Sequence, residues 1–198
     1  MTTYESVPMV TLADGVVGPK QGEWTYNEYA ALTDDGQWYE IVNGVLVIAP
    51  SPDIPHQSSV ARFIYFLMAH VELVGLGKVV PAPSDVVLSP NNVYQLDVFV
   101  VLNAHLDRVQ EKRVVGAPDL IIELASPSTA LYDRLTKYDV YARFGVPEYW
   151  IAKTATRTIE VLVLTEGTYR SLGVFHGQDK LPSRIVPELP VAVDSFFA

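Results

Sequence analysis

Apolar residues are nearly continuous in two short stretches of the chain, and each stretch is broken by acidic residues. Residues 96–102 contain one acid, Asp97, and residues 119–125 contain Asp119 and Glu123. Apolar runs of this length are typical of buried strands that are covered on both faces. Because side chains alternate along a strand, Asp119 and Glu123 are expected on the same face. The pattern therefore predicts two core strands that carry carboxylates.

The second of these strands leads into a predicted helix. Hydroxyl residues and a proline at 126–129 suit a helix N-terminus, and Gly145 followed by Pro147 suits the helix end. Apolar positions with helical spacing predict the side of the helix that faces the core: Leu131, Leu135, Tyr138 and Ala142.

The remaining chain alternates between short strand and helix patterns. The most specific signal is Asn43-Gly44, the favoured dipeptide of a two-residue type I′ turn, between strand patterns at 38–42 and 45–48. A long amphipathic pattern at 55–75 predicts a second helix. The other predicted segments are an irregular arm at 1–22, a helix at 26–32 capped by Thr25, strands at 78–81 and 85–88, a polar loop at 103–113, a β-meander at 148–152, 159–164 and 169–174, and an apolar tail at 193–198.

Composition fits one globular domain. The chain has 198 residues, of which 49% are apolar and 19% charged, so we expect an arm at 1–22 and a single α/β domain at 23–198. The absence of cysteine excludes disulfides and thiolate metal sites. The N-terminus lacks the form of a secretion signal, and no apolar run reaches the length of a membrane span. We therefore expect a cytoplasmic protein with no membrane partner.

Charge is uneven along the chain. The formal net charge of −9 argues against a protein that coats nucleic acid. Residues 1–58 hold one basic and eight acidic residues, a balance of −7, whereas residues 108–157 hold eight basic and six acidic residues, a balance of +2. An anion-attracting surface should therefore lie around residues 116–150, although ordinary scatter over a solvated surface explains the same pattern.

Asp97, Glu123 and Lys137 form the first candidate for chemistry. If the two core strands pair antiparallel, Asp97 lies next to Glu123, and Asp119 lies about 14 Å away at roughly 3.4 Å per residue. Two carboxylates at a sheet end suit Mg²⁺, which prefers hard oxygen ligands and keeps places for water and phosphate. A lysine from the following helix could then orient water or stabilise charge, as in metal-assisted phosphodiester hydrolysis.

The same residues also have a purely structural interpretation. Asp133 and Lys137 stand at i, i+4 in the favourable order, which fits an ion pair on the helix surface, and Tyr141 follows one turn later. Asp97 and Glu123 could equally cap neighbouring backbone at strand ends. Burial favours the metal site, because acids inside core strands are costly unless they are paired or metal-bound.

Several motifs together resemble one known family. They are YEIVNG at 39–44, His56 at the start of the long helix, QLD at 95–97 and, within 118–150, PDLIIE, SPST, D-x-x-x-K-x-x-x-Y and GVPEYW. In this combination the chain resembles the Uma2 family of endonucleases, formerly a domain of unknown function, over about 24–164. The resemblance implies an α/β fold of the PD-(D/E)XK, restriction-endonuclease-like type, with a mixed central β-sheet flanked by α-helices.

The resemblance also implies roles for single residues. Asp97 is then the first acid of the fold and Glu123 the acid of its E-x-K half-motif. Ala125 stands where that lysine is expected, so Lys137 would replace it from the helix, and Leu96 stands where a proline usually precedes the first acid. The resemblance also allows Glu40 and His56 near the metal rather than on it, as an outer carboxylate and a contact to substrate or water, although a histidine at a helix start is more often a cap or a surface residue. Tyr141 and Asp119 are further candidates for the surroundings of the metal; Tyr141 fits the core equally well, and Asp119 is the more distant of the two acids on its strand.

We therefore expect a Mg²⁺-dependent endonuclease that cuts DNA, with Mn²⁺ able to substitute, acting as a homodimer. Asp97 and Glu123 are the expected metal ligands and Lys137 is the third catalytic residue, with no organic cofactor. The alternative is a nuclease-fold protein that binds nucleic acid or a protein partner without cutting. A site that binds metal without turnover would favour the alternative.

Overall fold

The computed structural model describes residues 11–49, 51–125 and 136–197. The strands within these ranges are β1 (Thr11–Leu12), β2 (Tyr39–Val42), β3 (Val45–Ile48), β4 (Gly77–Pro81), β5 (Asp85–Ser89), β6 (Asn92–Gln95), β7 (Val98–Leu102), β8 (Arg113–Val115), β9 (Leu120–Ala125), β10 (Glu148–Lys153), β11 (Thr158–Thr165) and β12 (Thr168–His176). The helices there are α1 (Tyr26–Tyr29), α2 (Ile54–Leu67), which continues into a π-helical turn (Met68–Glu72), α3 (Tyr138–Arg143), and two 3-10 helices (Asn103–Arg108 and Val193–Phe196). The predicted helix start at 126–129 lies outside the described ranges, as do Leu131, Asp133 and Leu135.

Two mixed sheets organise the described residues, which confirms the predicted α/β class. The first has the order β1-β3-β2-β6-β5-β8, and the second has the order β12-β11-β10-β9-β7-β4. Each contains one parallel pair, β5 with β8 and β9 with β10, among antiparallel neighbours. The strands are thus divided between two sheets, where the sequence suggested one central sheet.

The Asn43-Gly44 hairpin forms as predicted and joins β2 to β3. Asn43 and Gly44 have φ of 49° and 80°, the positive values that a type I′ turn requires. The segment predicted as an irregular arm differs from that description at β1, which pairs with β3, and Ala13 is buried beside it. The division of the chain into an arm and a domain stays a prediction.

Strand β9 lies inside the second sheet, and all six of its residues are buried because both of its faces are covered. Ile121 and Ala125 belong to a core cluster that joins both sheets and α3. Leu120 and Ile122 belong to a second cluster, formed with α2 and the C-terminal segment. This packing makes β9 a rigid support for the side chain of Glu123.

Tertiary packing alters several predicted segments. The strand predicted at 96–102 forms as β7, and it is preceded by β6, which was not predicted and belongs to the other sheet. The predicted polar loop at 103–113 contains a 3-10 helix and the start of β8. The apolar tail becomes the 3-10 helix Val193–Phe196, in which Phe196 stacks on Phe63 of α2 at 4.5 Å between ring centroids. Across the described ranges, no helix is long and apolar enough to cross a membrane.

Glu148 anchors the C-terminal segment to the start of β10. Its fully buried carboxylate accepts hydrogen bonds from Trp150 Nε1 at 2.7 Å, from the Ser183 hydroxyl at 2.6 Å and from the Arg184 backbone N–H at 2.7 Å. A buried carboxylate is tolerated when it has this many donors. The burial of the Glu148 carboxylate is therefore explained by its structural role.

Glu148→Gln should lower the free energy of unfolding by about 2–3 kcal/mol, because the new amide group would face one of three buried donors. Urea denaturation of both proteins would measure the difference. Glu166→Gln is the matched control: that side chain is 85% exposed, so its replacement should change stability by less than about 0.5 kcal/mol. Equal stability of Glu148→Gln and the unaltered protein would contradict the anchoring role.

Candidate active site

Asp97 and Glu123 lie side by side where the two sheets meet. Strands β7 and β9 pair antiparallel with Val98 opposite Ile122, so that one further step of this register places Asp97 opposite Glu123. The Leu124 backbone N–H donates to Asp97 Oδ2 at 2.8 Å, which fixes the first carboxylate against the second strand. The antiparallel pairing expected from the sequence is therefore present.

Lys137, immediately before α3, reaches this pair of acids from the helix side. Its Nζ lies 2.9 Å from Glu123 Oε1, and its side chain is only 7% exposed. Lys137 is therefore not a residue of the exposed helix surface. A buried ammonium is stabilised here by a close carboxylate.

Glu40 on β2 supplies a third carboxylate. Glu40 Oε1 lies 3.7 Å from Lys137 Nζ and accepts a hydrogen bond from the Gln95 backbone N–H at 3.2 Å. The first sheet thus contributes Glu40, and the second contributes Glu123, to the same lysine. This arrangement concentrates negative charge around one buried cation.

Tyr141 closes the inner side of the cluster. Its hydroxyl donates to Glu123 Oε1 at 2.8 Å, and its ring packs edge-on against Tyr94 and Tyr149. Complete burial raises the pKa of Tyr141 well above its ordinary value, and the nearby charge of Glu123 adds to the shift. Tyr141 therefore stays a neutral donor that holds the Glu123 carboxylate in place.

His56, in the first turn of α2, contacts the outer oxygen of Asp97. Its Nε2 lies 3.0 Å from Asp97 Oδ1, with the two side chains 16% and 20% exposed. Asp53 caps the helix by accepting from the His56 backbone N–H at 2.8 Å, so the helix start is fixed relative to the site. The more exposed side of the cluster is therefore the Asp97–His56 side.

Asp119 lies at the other end of β9. Its Oδ2 accepts from the Leu102 backbone N–H at 2.8 Å, and its Oδ1 lies 2.8 Å from His105 Nδ1. These contacts explain why the buried acid is tolerated without a metal. The structure thus brings together Asp97, Glu123, Lys137, Glu40, His56 and Tyr141, and leaves Asp119 in a separate structural pair.

A family model matches most of the chain. The profile of the Uma2 family, described as "Putative restriction endonuclease", matches residues 26–194. The chain belongs to the Uma2 family. No curated protein matches the Uma2 chain significantly.

The fold of this Uma2 protein also occurs in a solved structure. It is similar to the "Crystal structure of a putative nuclease belonging to DUF820" from Anabaena variabilis ATCC 29413, with a TM-score of 0.72. The sequences are 17% identical, and the match covers 87% of this chain and 97% of the other. At this identity the likeness concerns the fold, and it confirms the predicted fold class.

The carboxylates of the Uma2 site suit a divalent metal by their chemistry. Mg²⁺ is commonly held by one or two protein carboxylates, with water and phosphate oxygens as the other ligands. Asp97 and Glu123 supply two hard-oxygen groups, and each carboxylate oxygen has two lone pairs, so a bonded oxygen retains acceptor capacity. Within the described ranges, no three histidine, aspartate or glutamate side chains are arranged to hold a metal by themselves. The residues therefore fit a metal that also depends on water or substrate for its ligands.

One contact of the site was missed by sequence reasoning. Gln95 fixes Glu40 through its backbone N–H, and its side chain extends to Tyr29 and Asp85. The QLD motif that carried part of the resemblance contains this residue. Every residue except proline has a backbone N–H, so the identity of the side chain cannot predict this contact. The motif could therefore be recognised from the sequence, but the role of Gln95 could not.

Asp119→Asn should leave the cleavage rate within a small factor of the unaltered protein, because Asp119 is bound to Leu102 and His105 at the far end of β9. A modest loss of stability, about 1–3 kcal/mol, is expected from the weakened buried hydrogen bonds. Initial rates on plasmid DNA, measured below the unfolding temperature of both proteins, would separate the two effects. A loss of rate equal to that of Glu123→Gln would mean that the site extends to Asp119.

Proposed function

We propose that this protein is a Mg²⁺-dependent endonuclease that hydrolyses DNA phosphodiester bonds, with Mn²⁺ able to replace Mg²⁺. The observation that carries the proposal is the position of Lys137, a buried ammonium within 4.0 Å of the carboxylates of both Glu123 and Glu40, with Asp97 opposite Glu123 in the strand register. A structural ion pair needs one carboxylate, whereas this lysine has two within 4.0 Å. Membership of the Uma2 family supports the assignment to nucleases.

Each residue has a distinct part in the proposed reaction. Asp97 and Glu123 would hold the metal, which supplies an activated water and neutralises charge on the phosphate. Tyr141 holds the Glu123 carboxylate, and the Leu124 N–H and His56 hold that of Asp97. The ammonium of Lys137 would orient the attacking water or stabilise the negative charge that develops on the phosphate in the transition state.

Glu40 has a positioning part. Its Oε1 lies 3.7 Å from the Lys137 ammonium, which is also hydrogen-bonded to Glu123 at 2.9 Å. Two carboxylates around one cation restrict where the ammonium can move. We therefore expect Glu40 to set the direction of Lys137 and not to bind metal.

The alternative, a nuclease-fold protein that binds without cutting, is favoured by one observation. Both candidate metal ligands already bond to protein groups, Glu123 to Lys137 and Tyr141, and Asp97 to His56 and the Leu124 N–H, which satisfies them without a metal. The two functions differ in turnover, so supercoiled plasmid should be incubated with the protein in Mg²⁺, Mn²⁺ or EDTA while Mn²⁺ binding is measured by electron paramagnetic resonance. Metal-dependent nicking supports the nuclease, and Mn²⁺ binding without nicking supports the alternative.

The expected homodimer is a further part of the proposal. Several apolar side chains near the end of α2 are exposed, among them Tyr65, Leu73 and Val74. Exposed apolar groups of this kind are common where proteins associate. Sedimentation velocity at several protein concentrations would measure the oligomeric state.

A further inference from the structure

A cavity lies beside the candidate site, between the edge strands of the two sheets. Strand β4 is an edge of the second sheet and β8 is an edge of the first. The space between them has a volume of about 580 Å³, inside the range of about 300–1,000 Å³ that is typical of small-molecule sites. We call it the edge cleft; the polar residues that matter for its chemistry are Tyr29, Lys78, Asp85, Gln95, Lys112 and Arg113.

The inner end of the edge cleft has hydrogen-bonding groups. The Gln95 amide donates to the Tyr29 hydroxyl at 3.1 Å and to Asp85 Oδ1 at 3.3 Å, and the Tyr29 hydroxyl donates to the same Asp85 oxygen at 2.8 Å. Among the described residues, Gln95 Oε1 is the one buried side-chain oxygen or nitrogen without a hydrogen-bond partner. That oxygen is closed off from the cleft, whereas the second carboxylate oxygen of Asp85, Oδ2, accepts no hydrogen bond within the described ranges and is accessible to a donor from a ligand.

The outer end of the edge cleft has cations. Lys78 and Lys112 are exposed and form no ion pair within the described ranges. Arg113 is held in place, since its guanidinium lies 4.5 Å from the centre of the Tyr26 ring and its Nε donates to Gln110 at 3.0 Å. Lys112 and Arg113 belong to the basic segment at 108–157, and neither is one of the proposed catalytic residues.

The acids of the edge cleft are mostly engaged. Glu72 accepts from the Val79 backbone N–H at 3.1 Å, and Asp85 accepts from Tyr29 and Gln95, while Glu111 is exposed at the rim. A free phosphate would be repelled by these acids, and a basic peptide would be repelled by the lysines. A nucleotide matches both ends, because its base carries amino donors and its phosphate carries the negative charge.

The edge cleft adjoins the candidate site. The Gln95 backbone N–H donates to Glu40 at 3.2 Å, and the Ala82 backbone N–H donates to the Asp97 carbonyl at 3.1 Å, next to the cleft residue Pro83. A strand bound at Asp97 and Glu123 therefore has the edge cleft directly beside it.

We propose that the edge cleft binds one nucleotide of the substrate strand next to the scissile bond. The base lies against Gln95 and Asp85, and the phosphate lies near Lys78 and Lys112. The identity of the ligand as part of a strand rests on the proposed nuclease function. Asp85 then determines specificity, because its carboxylate selects a base that presents an amino group, and Gln95 positions that carboxylate.

The test uses the full chain carrying Glu123→Gln, in EDTA, so that no cleavage occurs. Calorimetric titration with the four 2′-deoxynucleoside 5′-monophosphates should show saturable binding of at least one of them. Gln95→Leu, added to this protein, should weaken both that monophosphate and its nucleoside by roughly tenfold. Lys78→Gln with Lys112→Gln should weaken the monophosphate and leave the nucleoside unchanged. The matched control is Lys20→Gln with Lys180→Gln, two exposed lysines outside the cleft, which should change neither.

A second measurement separates a strand nucleotide from a free effector. In the cleaving protein, the same monophosphate should raise KM for DNA without changing kcat. For the double Lys78 and Lys112 variant, we expect a weaker dependence of single-stranded oligonucleotide binding on salt. The slope of log K against log [salt] should be smaller in magnitude by about 0.7 for each phosphate that the protein no longer neutralises. A change in kcat alone would overturn the strand assignment.

Two further outcomes separate the cleft from the nuclease function. Absence of saturable binding, or an equal weakening in the control, would overturn the cleft as a site. If the protein binds a monophosphate but cuts no DNA with any metal ion, the nuclease proposal is overturned, while the edge cleft is supported as a nucleotide-binding site.

Discussion

Replacement of either carboxylate of the candidate site should abolish metal-dependent DNA cleavage. Asp97→Asn and Glu123→Gln keep the shape of each side chain and one oxygen that accepts a hydrogen bond, so the Leu124 N–H and the Tyr141 hydroxyl retain partners. Both changes remove the negative charge that a hard cation requires. We expect the cleavage rate of each variant to fall to the metal-free background, and Mn²⁺ affinity to fall with it.

Amide variants are the better test because alanine would disturb the structure. Glu123 has Lys137 and Tyr141 as partners, and Asp97 has His56 and the Leu124 N–H. Glu123→Ala would leave the buried Lys137 with a weaker partner, at a cost on the order of 3–5 kcal/mol. Circular dichroism and thermal unfolding of the amide variants serve as the folding control. Normal cleavage by either folded variant would refute the assignment of the metal ligands.

Lys137→Met should lower the cleavage rate by about 10²–10³-fold, the size of loss that follows removal of one preorganised electrostatic donor. Mn²⁺ affinity should survive, because a cation is not a metal ligand. Stability should fall as well, since Glu123 and Glu40 would face each other without the shared ammonium. Single-turnover kinetics with saturating DNA would measure the chemical step apart from binding.

Two comparisons make the Lys137 result specific. Lys137→Arg should not restore the rate, because a planar guanidinium does not fit the place of a compact ammonium between two carboxylates. Asp133→Ala and Lys180→Met are controls, the first for the ion pair that helix spacing alone suggested and the second for loss of an exposed lysine. A Lys137→Met protein that cuts at the normal rate would show that this lysine only balances buried charge.

The position of the site at the junction of the sheets explains why its residues are far apart in the chain. Leu96 and Asp97 connect β6 of the first sheet to β7 of the second. Glu40 comes from the first sheet and Glu123 from the second, and Lys137 approaches from the segment before α3. A change in the packing of one sheet on the other should therefore alter the distance from Lys137 to Glu40 before it alters that from Lys137 to Glu123.

The sequence by itself determined the local structure wherever short-range chemistry was decisive. Asn43-Gly44 predicted a type I′ hairpin because few other dipeptides tolerate positive φ at both positions. The apolar runs around Asp97 and Glu123 identified buried strands, and antiparallel pairing followed from the short connection. The same runs made the two acids conspicuous, since a buried carboxylate needs partners. Asp97, Glu123 and Lys137 could therefore be named together without coordinates.

Only the tertiary structure decided the rest. The strand pattern at 96–102 does not reveal that β6 precedes it in a different sheet, because strand partners are chosen by packing across the whole chain. Tyr138, expected in the core stripe of the helix, packs against the core but stays half-buried, whereas Tyr141 of the neighbouring stripe is fully buried against Tyr94 and Tyr149. The contact of Glu40 with Lys137 joins residues that are nearly a hundred positions apart. Periodicity reports which face of an element is apolar, but the partner of each face is fixed by the complete fold.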